Sequence, residues 1–216
     1  MSIINFFILD TLKKFSKNKN SVIFIVTNII VSFLGFVRSF VFMKVLDFEQ
    51  LGLITILQTC AMLVGFMQIG LINGGYRVVA VQDDKRVVKR TINTVFSYIS
   101  LLTVLLFFLA LISYQYELIE KIGYTYLVIF LSISTMLSVW LTNYLIAKRN
   151  YKKLNNINLL SSIFGFLSLF MVFHYGVYGA VLSLIFQPLL FICLVLLYIK
   201  DSRPTNFEFN FSFARY

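Results

Sequence analysis

Hydrophobic positions do not alternate with polar ones along this chain; they come in six long apolar runs. The runs cover 21–45, 51–72, 91–113, 123–147, 155–174 and 176–199. Each is about 20–25 residues, which as a helix rising 1.5 Å per residue crosses a hydrocarbon core of about 30 Å with some tilt. Backbone groups facing lipid have no water to bond, so helix is the one sensible state for these runs. Strands of a membrane β-barrel alternate apolar and polar, and that pattern is absent from the sequence. The pattern predicts an all-α integral membrane protein with six transmembrane helices. Runs five and six are expected to meet in a tight turn at His174-Tyr175-Gly176, since a single helix through both would be about twice the bilayer.

Composition supports this reading. Of 216 residues 59% are hydrophobic and 13% charged, against about 45–50% and 25% in a soluble domain. A soluble enzyme and a disordered tail are both excluded. The net charge of +10 would suggest nucleic acid in a soluble protein; here its distribution between loops sets orientation, and no nucleic-acid partner is expected. Of the 19 Lys and Arg, 16 fall in segment 1–20, in the loop between runs two and three with the start of run three, in the loop between runs four and five, and in the tail 200–216. The other connections hold only Lys44 and Lys121. Lys and Arg concentrate on the cytoplasmic side, so both termini are predicted inside. Segment 1–20 is basic, with Ile4, Ile8, Leu12 and Phe15 on one helical face. It reads either as an amphipathic helix on an anionic leaflet or as a leader that only sets topology.

The chemistry in the runs is sparse. All nine acids, among them Asp47, Glu49, Asp83, Asp84, Asp201 and Glu208, lie outside the runs. Proton relays and paired-carboxylate catalysis therefore lack their groups. No phosphate-cradling glycine loop or Cys/His metal spacing occurs, so no catalysis, cofactor or metal is expected. Cys60 and Cys193 sit in apolar runs and read as small buried hydrophobes. His174, the one histidine, reads as a turn residue. Arg38 is the exception to an uncharged interior. A charge inside a span costs at least about 2.5 kcal/mol, so it should face a wet cavity or a partner. Either it meets an anion from outside the chain, or it caps carbonyls or pairs with Asp47 or Glu49. Arg38 and Asn28 on run one and Gln58 on run two exceed what packing needs, and Gln68 lies near the cytoplasmic end of run two. Ser161 with Gly165, and Gly179 with Ser183, are small-xxx-small pairs that permit close helix approach. Pro188 is expected to kink run six.

Two segments carry a resemblance. Leu46-Asp-Phe-Glu-Gln-Leu-Gly52 is similar to the "L-x-P-E-x-x-G" connection after the first helix of polysaccharide flippases, with Phe48 in the proline position. Gln68-Ile-Gly70-Leu-Ile-Asn73 is similar to that family's "D-x-G-L-x-N" segment, with Gln68 in the acidic position. With the basic loops and six spans, the chain resembles the N-terminal six-helix half of a polysaccharide biosynthesis protein, a Wzx-type O-unit flippase of the multidrug/oligosaccharidyl-lipid/polysaccharide exporter superfamily. The resemblance implies one lobe of a two-lobed flippase that moves undecaprenyl-diphosphate-linked oligosaccharide across the bacterial inner membrane. It also implies a second lobe or a homodimer as partner, and a tail 200–216 that corresponds to the inter-lobe linker. In that setting Arg38 would contact the diphosphate, and Asn28, Gln58 and Gln68 the sugar or headgroup. The cytoplasmic cations Lys85, Arg86, Lys89 and Arg90 would gather the anionic lipid-linked substrate, or serve topology and membrane-lipid contact alone. Two other readings stay open: a non-transporting scaffold of a glycan-assembly complex, and a fragment of a cation-coupled drug exporter.

Overall fold

The computed structural model describes residues 19–116 and 122–209, and the amphipathic face expected at Ile4–Phe15 lies outside them. The described residues are helical, in the order α1 (Lys19–Val45), α2 (Phe48–Phe66), α3 (Leu71–Val81), α4 (Lys85–Gln115), α5 (Ile122–Ala147), α6 (Tyr151–Leu167) and α7 (Phe170–Tyr198), closed by a 3-10 turn at Lys200–Ser202. Five of them, α1, α2, α4, α5 and α7, are long and apolar enough to cross a membrane. This is the architecture of a multi-pass α-helical membrane protein.

Helix α5 is the hub, in contact with α2, α3, α4, α6 and α7. Its Trp140, Leu141 and Leu145 are fully buried. The core divides lengthwise into two clusters. One gathers α3, α4, α6 and the ends of α5 and α7 around Trp140 and Val95. The other joins the end of α1 and the first half of α2 to the starts of α5 and α7 around Ala180 and Val181.

Local chemistry explains the breaks. Asp47 starts α2 as a capping box: its carboxylate accepts from the Gln50 backbone N–H at 2.8 Å, and the Gln50 amide accepts from Asp47 N–H at 3.4 Å. The second apolar run is not one helix to residue 72. It stops at Phe66, and Ile69 and Gly70 turn the chain with positive φ, 47° and 71°. The carbonyl of Met67 in this turn accepts from the Tyr98 hydroxyl on α4. Much of the expected loop is then α3, whose Leu71, Ile72, Gly75, Val78 and Val79 form a buried stripe at helical spacing. A β-carbon on Gly75 would stand 2.8 Å from the Trp140 ring, so α3 reaches the hub only because that position is glycine.

The turn expected at His174–Gly176 is a reversal of the chain. Gly176 has φ 53° and ψ −124°, the one non-helical residue inside α7. The approaches that follow are antiparallel. A β-carbon on Gly179 would lie 2.1 Å from the Met171 carbonyl oxygen, and one on Gly165 would lie 2.7 Å from Gln187 Cβ. The Ser168 hydroxyl lies 3.5 Å from the Ser183 carbonyl. Residues 171/179, 168/183 and 165/187 are thus rungs of a hairpin centred on Tyr175–Gly176. Gly165 and Gly179 serve the close approach their spacing suggested. The first arm has its own break at Ser168–Leu169, which is why α6 has only 17 residues. His174 sits at the bend, edge-on to Phe170 with ring centroids 4.6 Å apart. Pro188 leaves the dihedrals of α7 helical; it removes only the N–H that would bond the Leu184 carbonyl.

One further expectation is corrected. Cys60 and Cys193 are free and exposed: both fall on the outer faces of their helices, where a small apolar side chain costs nothing against lipid. The described part of the tail packs on the bundle. Residues 203–208 run back along the first turns of α4, where Thr205 N–H donates to Asn93 Oδ1 at 2.9 Å and Glu208 N–H to Ser97 Oγ at 2.9 Å.

Candidate functional site

Ile54, Leu57 and Ala61 bury α2 against its neighbours, but no residue from Met62 to Phe66 is buried. Beside this half of α2 a cleft of about 750 Å³ opens towards α5, α6 and α7. On α5 it spans Leu131 to Thr142 and on α7 Leu184 to Phe191, the level between the two core clusters. Nothing stands within 4 Å of where a β-carbon on Gly65 would be, so the α2 wall is set back from the floor.

The lining is polar by membrane standards, and its polar groups divide into two sets. Hydroxyls on α5 and α6 bond their own helices: Ser132 to Val128 O (2.6 Å), Thr135 to Leu131 O (2.7 Å), Ser138 to Thr135 O (2.8 Å) and Ser161 to Asn158 O (3.0 Å). Such back-bonding leaves a hydroxyl little to offer a ligand. The side-chain amides of Gln58, Gln68 and Asn158 make no hydrogen bond among the described residues, and all three line the cleft. Each brings two donors and an acceptor. No carboxylate lies among the described lining residues.

Arg38 reaches this wall from behind. Its Nη2 donates to Gln187 Oε1 at 2.8 Å, and Gln187 Nε2 donates to Ser162 Oγ at 3.1 Å. The guanidinium therefore meets neither Asp47 nor Glu49 but an amide on α7, and the relay ties α1, α7 and α6 together. Gln187 lines the cleft while Arg38 does not. Helices α1 and α6 run parallel, with Phe24 against Tyr151 near their starts (6.1 Å between ring centroids) and Arg38 and Ser162 converging on Gln187 further along. Gly165 makes room for Gln187.

Of the four residues expected to bind substrate, the structure brings Gln58 and Gln68 into one cleft and links Arg38 to its wall. Asn28 is outside the lining, ten positions before Arg38, about 15 Å along α1. Gln187, Asn158 and Ser162 were missed. Their signal was available: Gln187 is the one carboxamide in its apolar run, and Asn158 and Ser162 lie one turn apart on α6.

The expected gathering cations separate. Lys85 and Lys89 line a second pocket of about 510 Å³ together with Lys148 and Lys153, so two cation-bearing connections meet at one end of the bundle, beside Ile199 and Asp201. Arg86 is exposed and outside that lining. Arg90 is held in an ion pair with Glu208, 2.8 Å. No family model matches the chain, and neither a curated protein nor a solved structure matches it.

Proposed function

We propose that the chain is one lobe of a flippase for lipid-linked oligosaccharide, crossing the bacterial inner membrane six times with both termini inside. The observation that carries the reading is the cleft at mid-height, where three amides without a hydrogen bond among the described residues face a space of about 750 Å³ and an arginine bonds the amide of its wall. A polyprenol diphosphate sugar needs hydrogen-bonding groups for hydroxyls and a cation for the diphosphate, without a fixed negative charge to repel it. Arg38 has four further N–H donors beyond the one given to Gln187. A scaffold has no use for such a cleft, and a cation-coupled exporter would need an acidic group that the described lining lacks.

The six-crossing topology draws support from the Gly176 reversal, which supplies the crossing that a continuous α7 would hide. Orientation rests on the clustering of cationic connections at one end. The motif resemblance gains a physical sense too: Phe48 is the first residue of α2 after its Asp47 cap, the position where proline is favoured. A single lobe exposes its cleft sideways, so a second lobe or second copy is its expected partner.

The test is transbilayer movement of a fluorescent undecaprenyl-diphosphate glycan in vesicles carrying the chain with its partner or as a cross-linked dimer. Arg38→Lys keeps charge but loses the planar fork and should slow movement partly; Arg38→Ala should nearly abolish it, with membrane insertion unchanged or improved. Normal movement by the alanine variant would remove the reading.

A further inference from the structure

The second pocket lies at the other end of the chemistry, away from the amide cleft. Its floor is apolar, from Val88 and Ile92 on α4, Leu145 on α5 and Ile199, with the nearly buried Tyr144 beside them. Its rim carries Lys85 and Lys89 from the start of α4 and Lys148 and Lys153 from either side of the α5–α6 turn, against Asp83 and Asp201. Four lysines against two acids leave the rim cationic. The cations are not neutralised by contact: among the described residues no pocket lysine forms an ion pair, and only Lys89 is engaged, donating to the Arg203 carbonyl at 2.6 Å.

The turn that sets Lys148 and Lys153 in place is held by its backbone hydrogen bonds against local strain. Arg149 has φ 53°, left-handed backbone that non-glycine residues adopt at a cost. It closes α5 with Asn150 N–H on the Leu145 carbonyl at 2.9 Å, the six-to-one bond of a Schellman cap. Lysines drawn from two separated connections thus face one concavity, instead of fanning out as a solvated surface would have them. The volume suits a small polar headgroup and exceeds what a bare ion fills.

We propose that this pocket binds a phosphate- or diphosphate-bearing headgroup, seated on Lys85, Lys148 and Lys153 with its carbon portion over Val88, Leu145 and Ile199. Lysines are compact point charges suited to phosphate oxygens approaching from varied directions. The proposal does not rest on translocation, since binding is read without it.

The experiment uses the full chain in phosphatidylcholine nanodiscs and measures the fraction of spin-labelled phosphatidylglycerol immobilised by the protein, with added pyrophosphate as a soluble competitor. Saturable immobilisation is expected. Lys148→Gln with Lys153→Gln should weaken it about tenfold, and the Arg pair at the same positions should restore it. Lys85→Gln alone supplies the same test should the double variant not fold. Arg77→Gln with Lys152→Gln, an equal loss of charge at exposed positions outside the lining, should change binding less than twofold. Displacement by pyrophosphate would mean that the site takes the free anion as well; retention would assign it to the lipid headgroup. Equal weakening by the pocket pair and the surface pair would reduce the effect to diffuse surface charge and overturn the site. So would the absence of both saturable lipid binding and pyrophosphate binding.

Discussion

Replacing Gln187 by leucine cuts the relay at its centre, and its energetic signature can be worked out in advance. Gln187 accepts from Arg38 at 2.8 Å and donates to Ser162 at 3.1 Å. A hydrogen bond to a charged group contributes about 1.5–3 kcal/mol, but polar bonds measured inside membrane proteins average about 0.6 kcal/mol with a ceiling near 1.7. Arg38 is only partly buried, which places the bond between those limits. The arginine bond is therefore taken as about 1.2 kcal/mol and the serine bond as about 0.6, so Gln187→Leu should cost about 2 kcal/mol.

The sharper test is the same substitution in an Arg38→Met background. There the guanidinium bond is already gone, and Gln187→Leu should cost only about 0.6 kcal/mol. The coupling of about 1 kcal/mol can be read from reversible unfolding in bicelles by steric trapping, with all four chains of the cycle under one condition. Equal costs in both backgrounds would mean that Arg38 and Gln187 do not share a bond in the bilayer. Arg38 would then be free to meet lipid or a partner chain, and its place at the cleft wall would be lost.

Further outcomes follow from the packing. Gly179→Ala, whose β-carbon would stand 2.1 Å from a backbone oxygen, should cost about 3 kcal/mol or block folding, whereas Gly35→Ala, with nothing within 4 Å, should be neutral or slightly stabilising in thermal unfolding. In a background lacking Cys60 and Cys193, Asp83→Cys and Asn150→Cys should react with impermeant maleimide from one side of the membrane and Glu49→Cys from the other; a shared side for all three would refute the topology. Asn93→Ala with Ser97→Ala should free the tail, seen as faster amide exchange at Thr205 and Glu208, and unchanged exchange would show that the tail does not dock on α4. Arg149→Gly should raise stability by about 1 kcal/mol by relieving left-handed strain; destabilisation would mean that the arginine side chain holds the turn.

The crossing helices were legible because a bilayer imposes a length and a composition, and both are written directly in the chain. The reversal at Gly176 was legible for the same reason, since no helix of that length fits. What escaped was mostly set by neighbours. Helix α3 hides in a nominal loop because an 11-residue helix is too short to register against a 20-residue yardstick. Its apolar stripe matters only once Trp140 is there to meet Gly75. The cysteines were misplaced because an apolar run in a membrane gives no inward or outward sense: lipid and core are equally apolar, so burial cannot be read from hydrophobicity alone.

The polar residues obey a stricter logic, and it explains which candidates survived. A polar side chain in a span must find a partner, and the first partner available is its own helix. The hydroxyls of Ser132, Thr135 and Ser138 take that route, as residues with short side chains can. A glutamine seldom can, because its amide reaches beyond the helix. Gln58, Gln68 and Gln187 must therefore look outward, two into open space and one to Arg38. Side-chain reach, more than polarity, separates the residues that line a usable cleft from those that decorate a helix. By that criterion Asn158, whose amide likewise makes no hydrogen bond among the described residues, belongs with Gln58 and Gln68 in the cleft. Asn28 does not, because it lies outside the lining of that cleft.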